Sequence, residues 1–108
     1  MEDQDEDWYA ARVLFVSRID GSVPDDALYE ERLVLVRARS LDDAQVKARR
    51  YGIREGHEYR NERGNAVTWQ LHSVNEVAKV REPQDADGWD VWSRFLREGE
   101  VVTPSEPD

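Results

Sequence analysis

The chain has 108 residues, no cysteine and a formal net charge of −9. Its length suffices for one domain with a modest core, and the lack of cysteine excludes disulfides, thiolate chemistry and cysteine-ligated zinc. The first residues show neither a basic segment nor an apolar run, and no later stretch approaches a membrane span. We therefore expect a cytoplasmic protein that binds neither a membrane nor a nucleic acid.

The excess acidity lies at the two ends of the chain. Residues 1–7 carry five acids and residues 98–108 carry four, and neither segment contains a base. The body between them holds equal numbers of acidic and basic residues. Acidic segments with few apolar residues cannot bury enough surface to fold. We therefore predict a single domain at residues 8–97, with disordered acidic tails at residues 1–7 and 98–108.

The first predicted strand covers residues 8–19. Aromatic and β-branched side chains are frequent in it, as they are on pleated, buried surfaces. In an extended chain Val13 and Phe15 lie on one side, and Leu14 and Val16 lie on the other. Both sides of this strand are therefore apolar at its middle.

A second predicted strand, residues 29–39, follows turn residues at 20–26. Leu33 and Leu35 lie on one face, and the even-numbered residues beside them make the other face apolar as well. Such a strand is expected inside a sheet, with both sides covered and its charged ends in water. We expect the two strands to pair as an antiparallel hairpin.

A helix is predicted from Ser40 to Tyr51. Ser40 and Asp43 have the spacing of a capping box, and Gly52 suits a helix end. The apolar stripe of this helix consists of Leu41, Ala44, Ala48 and Tyr51. Its later turns carry Lys47, Arg49 and Arg50, which complement the helix dipole without any ligand.

A second hairpin is predicted from residues 57–60 and 66–74, joined by a turn at 61–65. Residues 75–80 continue its second strand after a bend. Residues 89–97 fit either a strand or a helix, and we favour the strand. Together these elements predict an α+β fold with an antiparallel sheet of about four to five strands and one main helix packed on one face.

Three residues are candidates for proton transfer, namely His57, His72 and Glu58. The two histidines lack ligand spacing and have no obvious third ligand, so no metal is predicted. The sequence contains no glycine-rich phosphate loop, nucleophile elbow or zinc signature, and no cofactor is predicted.

Candidate ligand-binding or partner-binding residues are arginines and aromatic residues. Paired arginines can grip a carboxylate or phosphate, although salt bridges to nearby acids are the simpler role. The aromatic residues are numerous for so small a core, and some could line a groove or interface. The set consists of Arg12, Arg37, Arg39, Trp8, Tyr9, Trp89 and Trp92.

Five short motifs follow one another along the body of the chain: Trp8-Tyr9-Ala10-Ala11-Arg12, Glu30-Glu31-Arg32, Tyr59-Arg60-Asn61-Glu62 with Gly64, Val67-Thr68-Trp69 and Ser93-Arg94-Phe95-Leu96. In this order they resemble a small bacterial family catalogued only as a domain of unknown function, over nearly all of residues 8–97. The resemblance implies a compact bacterial α+β domain and carries no activity.

Two function classes remain. The first is a noncatalytic interaction module that binds a peptide or protein partner, with self-association into a homodimer expected because one helix covers only one side of a sheet. The second is a small enzyme that modifies a peptide by general acid–base catalysis, for example in natural-product peptide maturation, with arginines holding an anionic substrate. We prefer the first, because the sequence does not show that the polar candidates converge in a cleft.

Overall fold

The computed structural model describes residues 5–81, 87–91, 93 and 95–100. In chain order the elements are β1 (Asp7–Ile19), β2 (Tyr29–Ala38), α1 (Leu41–Arg54), β3 (His57–Arg60), β4 (Ala66–Lys79) and a 3₁₀ turn (Glu98–Glu100). The strands form one sheet in the order β2-β1-β4-β3, and every neighbouring pair is antiparallel. The predicted α+β class, with an antiparallel sheet and one helix, is confirmed, and the described sheet has four strands.

β1 lies inside this sheet. It pairs with β2 along one of its sides and with β4 along the other. Ala10, Ala11 and Val13 have no exposed surface. β2 instead lies at the edge of the sheet, where Leu33 is 52% exposed and Leu35 is 41% exposed. The prediction that β2 lies inside the sheet with both sides covered is therefore wrong, because the longer β1 takes both neighbours.

Alternate residues of β1 define the two sides of the sheet. The core side carries Tyr9, Ala11, Val13 and Phe15, which belong to the buried clusters. We call the opposite side, which carries Trp8, Arg12 and Leu14, the outer side. Val34, Val36 and Ala38 of β2 lie in or against the core clusters, so the exposed leucines of β2 belong to the outer side.

β4 keeps its apolar side chains on the core side by means of two bulges. Its register with β1 shifts twice, so that His72 and Asn75 have no residue opposite them. Leu71, Val74 and Val77 therefore face Phe15, Val13 and Ala11 at a spacing of three residues instead of two. Without the bulges, strict alternation would move Val74 to the outer side.

The predicted capping residues begin α1. The Ser40 hydroxyl accepts from the Asp43 backbone N–H at 3.1 Å, and the Asp43 carboxylate accepts from the Arg39 backbone N–H at 3.0 Å. The Arg39 hydrogen bond, followed by the charge of Lys47, lowers the pKa of Asp43 below its ordinary value. The Asp43 carboxylate thus accepts from the backbone N–H of Arg39, one residue before Ser40, whose N–H is the partner in a capping box.

Gly52 lies inside α1 and not at its end, which corrects the predicted boundary. The helix runs on to Arg54. A Cβ atom at position 52 would lie 2.6 Å from Leu71 Cδ1, so any larger residue would displace the Leu71 side chain. Ala44 and Ala48, like Gly52, are buried. These three small residues let the helix backbone come close to the strands.

Arg32 joins β2 to the end of α1. Its guanidinium donates to the Tyr51 hydroxyl at 3.1 Å and to the Glu55 carboxylate at 3.2 Å, and it also pairs with Glu30. The same group lies 4.7 Å from the Phe15 ring centroid. The Tyr51 hydrogen bond, followed by the Glu30 hydrogen bond, raises the pKa of Arg32. This end of β2 is therefore tied to the helix through Arg32, while Glu30 and Glu31 are exposed to water as predicted.

The β1–β2 and β3–β4 turns are joined through Asp20. Asp20 and Gly21 have φ values of 50° and 85°, as a two-residue hairpin turn requires. The Asp20 carboxylate accepts from the Ala66 backbone N–H at 3.0 Å and from the Asn65 side-chain amide at 2.6 Å. These two hydrogen bonds, with the Ala66 contribution larger, lower the pKa of Asp20.

The elements near the two ends of the domain differ from the predicted ones. β1 begins at Asp7, one residue before the predicted start, and the Glu6 carboxylate lies 3.2 Å from Lys47 Nζ. Residues 89–91, 93 and 95–97 are in neither a strand nor a helix. The strand prediction is wrong for them, while Trp92 and Arg94 lie outside the described residues. Residues 1–4 and 101–108 of the predicted tails also lie outside.

The two phenylalanines provide a matched test of the core. Phe15→Ala should lower the free energy of unfolding by about 3 to 5 kcal/mol, because it leaves a cavity in the main cluster. Phe95→Ala should change it by less than about 0.5 kcal/mol, because Phe95 is fully exposed. Urea unfolding measures both values. Equal losses in the two variants would contradict the core described above.

Asp20 should contribute a pH-dependent part of the stability. Because its pKa is lower in the folded state, this contribution is present above the ordinary value of 3.8 and is lost as the pH falls through the lower folded value. The difference in unfolding free energy between the wild type and Asp20→Asn should therefore shrink in acid. Urea unfolding across that range measures it, and Asn65→Ala, which removes one donor, should weaken the dependence. A difference independent of pH would contradict the assignment.

Candidate functional site

The outer side of the sheet carries exposed apolar side chains along its β2 edge. Trp8 of β1 and Tyr29, Leu33 and Leu35 of β2 are all more than 40% exposed, and we call these four residues the outer patch. Within the described residues, the far edge of β2 has no strand partner. An edge strand with unpaired backbone and apolar side chains is the kind of surface that accepts another chain.

Arg12 lies at the middle of the outer side, between two carboxylates. Its Nε and Nη2 donate to Glu31 on β2 at 3.0 and 2.5 Å, and its Nη1 donates to Glu76 on β4 at 2.7 Å. The Glu31 hydrogen bonds are the largest cause of its raised pKa. Arg12 was a candidate ligand-binding residue, and in this structure it links three strands. An anionic ligand would have to displace one of these carboxylates.

The other two candidate arginines do not share a strand face. Arg37 lies opposite Trp8, with its guanidinium carbon 5.6 Å from the Trp8 ring centroid. Arg39 follows the end of β2 and donates its backbone N–H to Asp43. The expected pair of arginines along one strand is therefore absent, because β2 ends at Ala38.

The remaining aromatic candidates lie in different surroundings. Tyr9 is only 6% exposed and packs in a core cluster with Ala38 and Ala44, so it is not accessible to a ligand. The Trp89 indole N–H donates to the Arg81 carbonyl, and Trp89 is partly exposed. Trp92 lies outside the described residues. Of the predicted aromatic set, only Trp8 belongs to the outer patch.

A cleft of about 500 Å³ lies where α1 ends and β3 begins. His57 and Glu58, two of the three candidates for proton transfer, both line it. The His57 ring stacks on the Tyr59 ring, with 6.1 Å between the ring centroids. The His57 Nδ1 atom lies 3.3 Å from the Glu55 carbonyl oxygen. The full lining is Arg49, Ile53, Gly56, His57, Glu58, Thr68, Trp69, Gln70 and Leu71.

His72 does not join the other two candidates for proton transfer. It lies at a bulge of β4. Its ring contacts the Tyr29 ring edge-on, with 5.7 Å between the ring centroids, and its Nδ1 atom lies 3.0 Å from the Ser73 hydroxyl oxygen. This contact with Tyr29 places it on the outer side. Among the described residues, no group of three or more histidine, aspartate or glutamate side chains could hold a metal ion. The three proton-transfer candidates thus occupy two separate places.

A second concavity, of about 420 Å³, was missed by the sequence reasoning. It lies on the exposed surface of α1 and is lined by Val46, Arg49, Arg50, Ile53 and Arg54. Arg49 and Ile53 also line the cleft, so the two hollows adjoin, and we call them together the α1–β3 groove. The available signal was the spacing of Val46 and Ile53, which puts both on one exposed helix face.

Comparisons with known proteins identify a family and nothing closer. The family model described as Domain of unknown function (DUF4288) matches residues 8–93. The expected resemblance to a domain of unknown function is thereby confirmed. The comparisons with curated proteins and with solved structures give no match. Within the described residues, no helix has the length and apolar character needed to cross a membrane.

The cross-strand role of Arg12 can be measured by a double-mutant cycle with Glu76. Arg12→Met and Glu76→Gln, alone and together, should give a coupling energy of about 1 kcal/mol that falls with added salt. The cycle of Arg18→Met with Gln70→Leu is the control, because it tests a hydrogen bond to a neutral partner. Urea unfolding provides all the values. A coupling near zero between Arg12 and Glu76 would refute the role.

Proposed function

This chain belongs to the family described as Domain of unknown function (DUF4288), and we propose that it is a noncatalytic cytoplasmic interaction module that forms a homodimer. The observation that supports this best is the β2 edge, where Leu33 and Leu35 are exposed beside unpaired backbone. A second copy can add its own β2 there by strand pairing. The dimer sheet then contains eight strands.

The β2 sequence is self-complementary in one antiparallel register. With Val34 opposite the partner's Val34, Leu33 faces the partner's Leu35 and Glu31 faces the partner's Arg37. The Leu33–Leu35 and Glu31–Arg37 contacts each occur twice, because the two-fold axis passes through the Val34 pair and repeats every contact away from it. Apolar and opposite-charge cross-strand pairs stabilise an antiparallel sheet, and like charges directly opposite destabilise it. The two-fold symmetric register therefore pairs every outer-side residue from Glu31 to Arg37 favourably.

We further infer that α1 covers the core side of each subunit. The observations behind this are the buried Ala44 and Ala48 and the Arg32–Tyr51 hydrogen bond between β2 and the helix. With the core side covered, the outer patch and the strand edges remain for other chains. This division of surfaces favours binding through β2 over binding through the core side.

The enzyme alternative has weaker support. A general acid–base mechanism on a peptide would use His57 and Glu58, which both line the cleft. They are consecutive residues of β3, so their side chains project to opposite faces of the strand. His72 lies on the outer side, and the Arg12 donors are engaged by Glu31 and Glu76. The residues that the sequence named for acid–base chemistry and for substrate binding therefore do not all meet in one place.

Charge exchange across β2 tests the homodimer and its register. Glu31→Arg and Arg37→Glu should each yield a monomer at micromolar concentration, because each puts like charges opposite each other twice. An equimolar mixture of the two variants should restore the dimer, because the introduced arginine of one chain then faces the introduced glutamate of the other. Sedimentation velocity measures the association state of each sample.

Arg63→Glu is the matched control, because Arg63 is an exposed arginine in the β3–β4 turn and should leave the dimer intact. Far-UV circular dichroism establishes that each variant is folded. A wild-type protein that is monomeric at all concentrations would rule out the homodimer. A dimer that survives both single substitutions would rule out the register.

A further inference from the structure

We propose that the α1–β3 groove binds an extended acidic peptide that also carries apolar side chains. Within the described part of the chain, the groove combines three features, which are arginines without acidic partners, an exposed apolar floor and a stretch of unpaired strand edge. It lies at the edge of the sheet opposite to β2. The proposal is therefore independent of the homodimer.

The arginines of the groove stand out in a chain with a net charge of −9. Several other basic residues that the structure describes on the sheet and helix have acidic partners, among them Arg12, Arg32 and Lys47. Within the same described residues, Arg49 and Arg50 take part in no hydrogen bond or ion pair. Both residues are exposed, so their guanidinium groups can pair with a carboxylate from another chain.

The helix dipole does not account for these two arginines. The sequence predicted that α1 ends near Tyr51, which would place Arg49 and Arg50 in its last turn. The helix extends to Arg54, and Arg54 is the basic residue of the last turn. Because the dipole effect falls off within one turn of the end, Arg49 and Arg50 gain little from it. Their place on the helix therefore calls for another explanation.

The floor of the groove is apolar. Ile53 is 64% exposed and Val46 is 53% exposed, an unusual placement for two aliphatic residues on one helix face. Trp69 and Leu71 continue this surface into the cleft. A partner that offers only charge would leave the floor uncovered. A peptide with alternating acidic and apolar side chains would contact both the arginines and the floor.

The strand edge in the cleft favours an extended conformation for this peptide. β3 pairs with β4 only as far as Trp69, whereas Gln70 and Leu71, the next residues of β4, also line the cleft. Their outer backbone edge has no strand partner among the described residues. A short peptide can hydrogen-bond to this edge while its side chains reach the floor.

The charge distribution distinguishes a peptide from a nucleic acid. Glu58 of β3 lines the cleft, so a continuous polyanion bound there would lie beside a carboxylate. A nucleic acid presents a phosphate at every nucleotide, so it could not keep its charge away from Glu58. A peptide can place its carboxylates on the helix side alone, beside Arg49 and Arg50. The acidic peptide therefore fits the groove better.

Fluorescence anisotropy with a labelled ten-residue peptide of alternating glutamate and leucine tests the proposal. The double variant Arg49→Gln/Arg50→Gln should raise the Kd about tenfold or more, and added salt should raise the wild-type Kd. Glu58→Gln should lower the Kd, because it removes a repulsive carboxylate. A peptide with glutamine in place of glutamate should bind more weakly than the acidic probe.

Arg63→Gln is the matched control for the loss of an exposed arginine and should leave the Kd unchanged. An unchanged Kd in the double variant, or equal binding of the glutamine peptide, would overturn the proposal. Tighter binding of a single-stranded oligonucleotide of equal charge would also overturn it. Sedimentation of the double variant should match the wild type, so that failure here is distinguishable from failure of the homodimer.

Discussion

Every part of this fold depends on the pairing of β1 along both of its edges. β2 and β4 each form an antiparallel ladder with it, and the buried clusters are built on its alternate residues. Ala10 and Ala11 are fully buried on opposite sides of the same strand. Because β1 occupies the centre, β2 and β3 become the edges of the sheet. The two surfaces proposed for binding are direct consequences of that order.

The approach of α1 to the sheet depends on local features that act together. Ala44, Ala48 and Gly52 lie along one line of the helix, and each lacks a large side chain. The two bulges of β4 bring Leu71 and Val74 to the core side. Gly52 in turn leaves the space that the Leu71 side chain fills. A change at either place would require an adjustment at the other, because cores are close-packed.

Local patterns in the sequence predicted the helix and strands well. They did not predict features that depend on contacts between residues far apart in the chain. The Ser40 cap, the two hairpins and the α+β class are confirmed because they depend on short patterns. The sequence did not show which of β1 and β2 is central, because both are apolar on two faces and only the pairing with β4 decides. The prediction that Gly52 ends the helix was wrong for a similar reason. Its close contact is with Leu71, 19 positions later in the chain.

The candidate site was less predictable than the fold. His57 and Glu58, named from the sequence as separate candidates, line one cleft because they are adjacent in the chain. The separation of His72 from them follows from a bulge that strict alternation does not show. Arg49 and Arg50 were attributed to the helix dipole because the helix was predicted one turn too short. A three-residue error in a boundary thus concealed a candidate binding surface.

The strand order also sets how the two proposed surfaces would work together. Pairing through β2 leaves both copies of β3, and with them both grooves, at the far ends of an eight-stranded sheet. Seven strand spacings of about 4.8 Å place the two β3 strands at most about 34 Å apart, since curling shortens the distance. A partner with two acidic segments on a linker of that reach would bind both grooves at once. Its second contact would then be intramolecular, so the affinity of the dimer for it would exceed that of either groove alone.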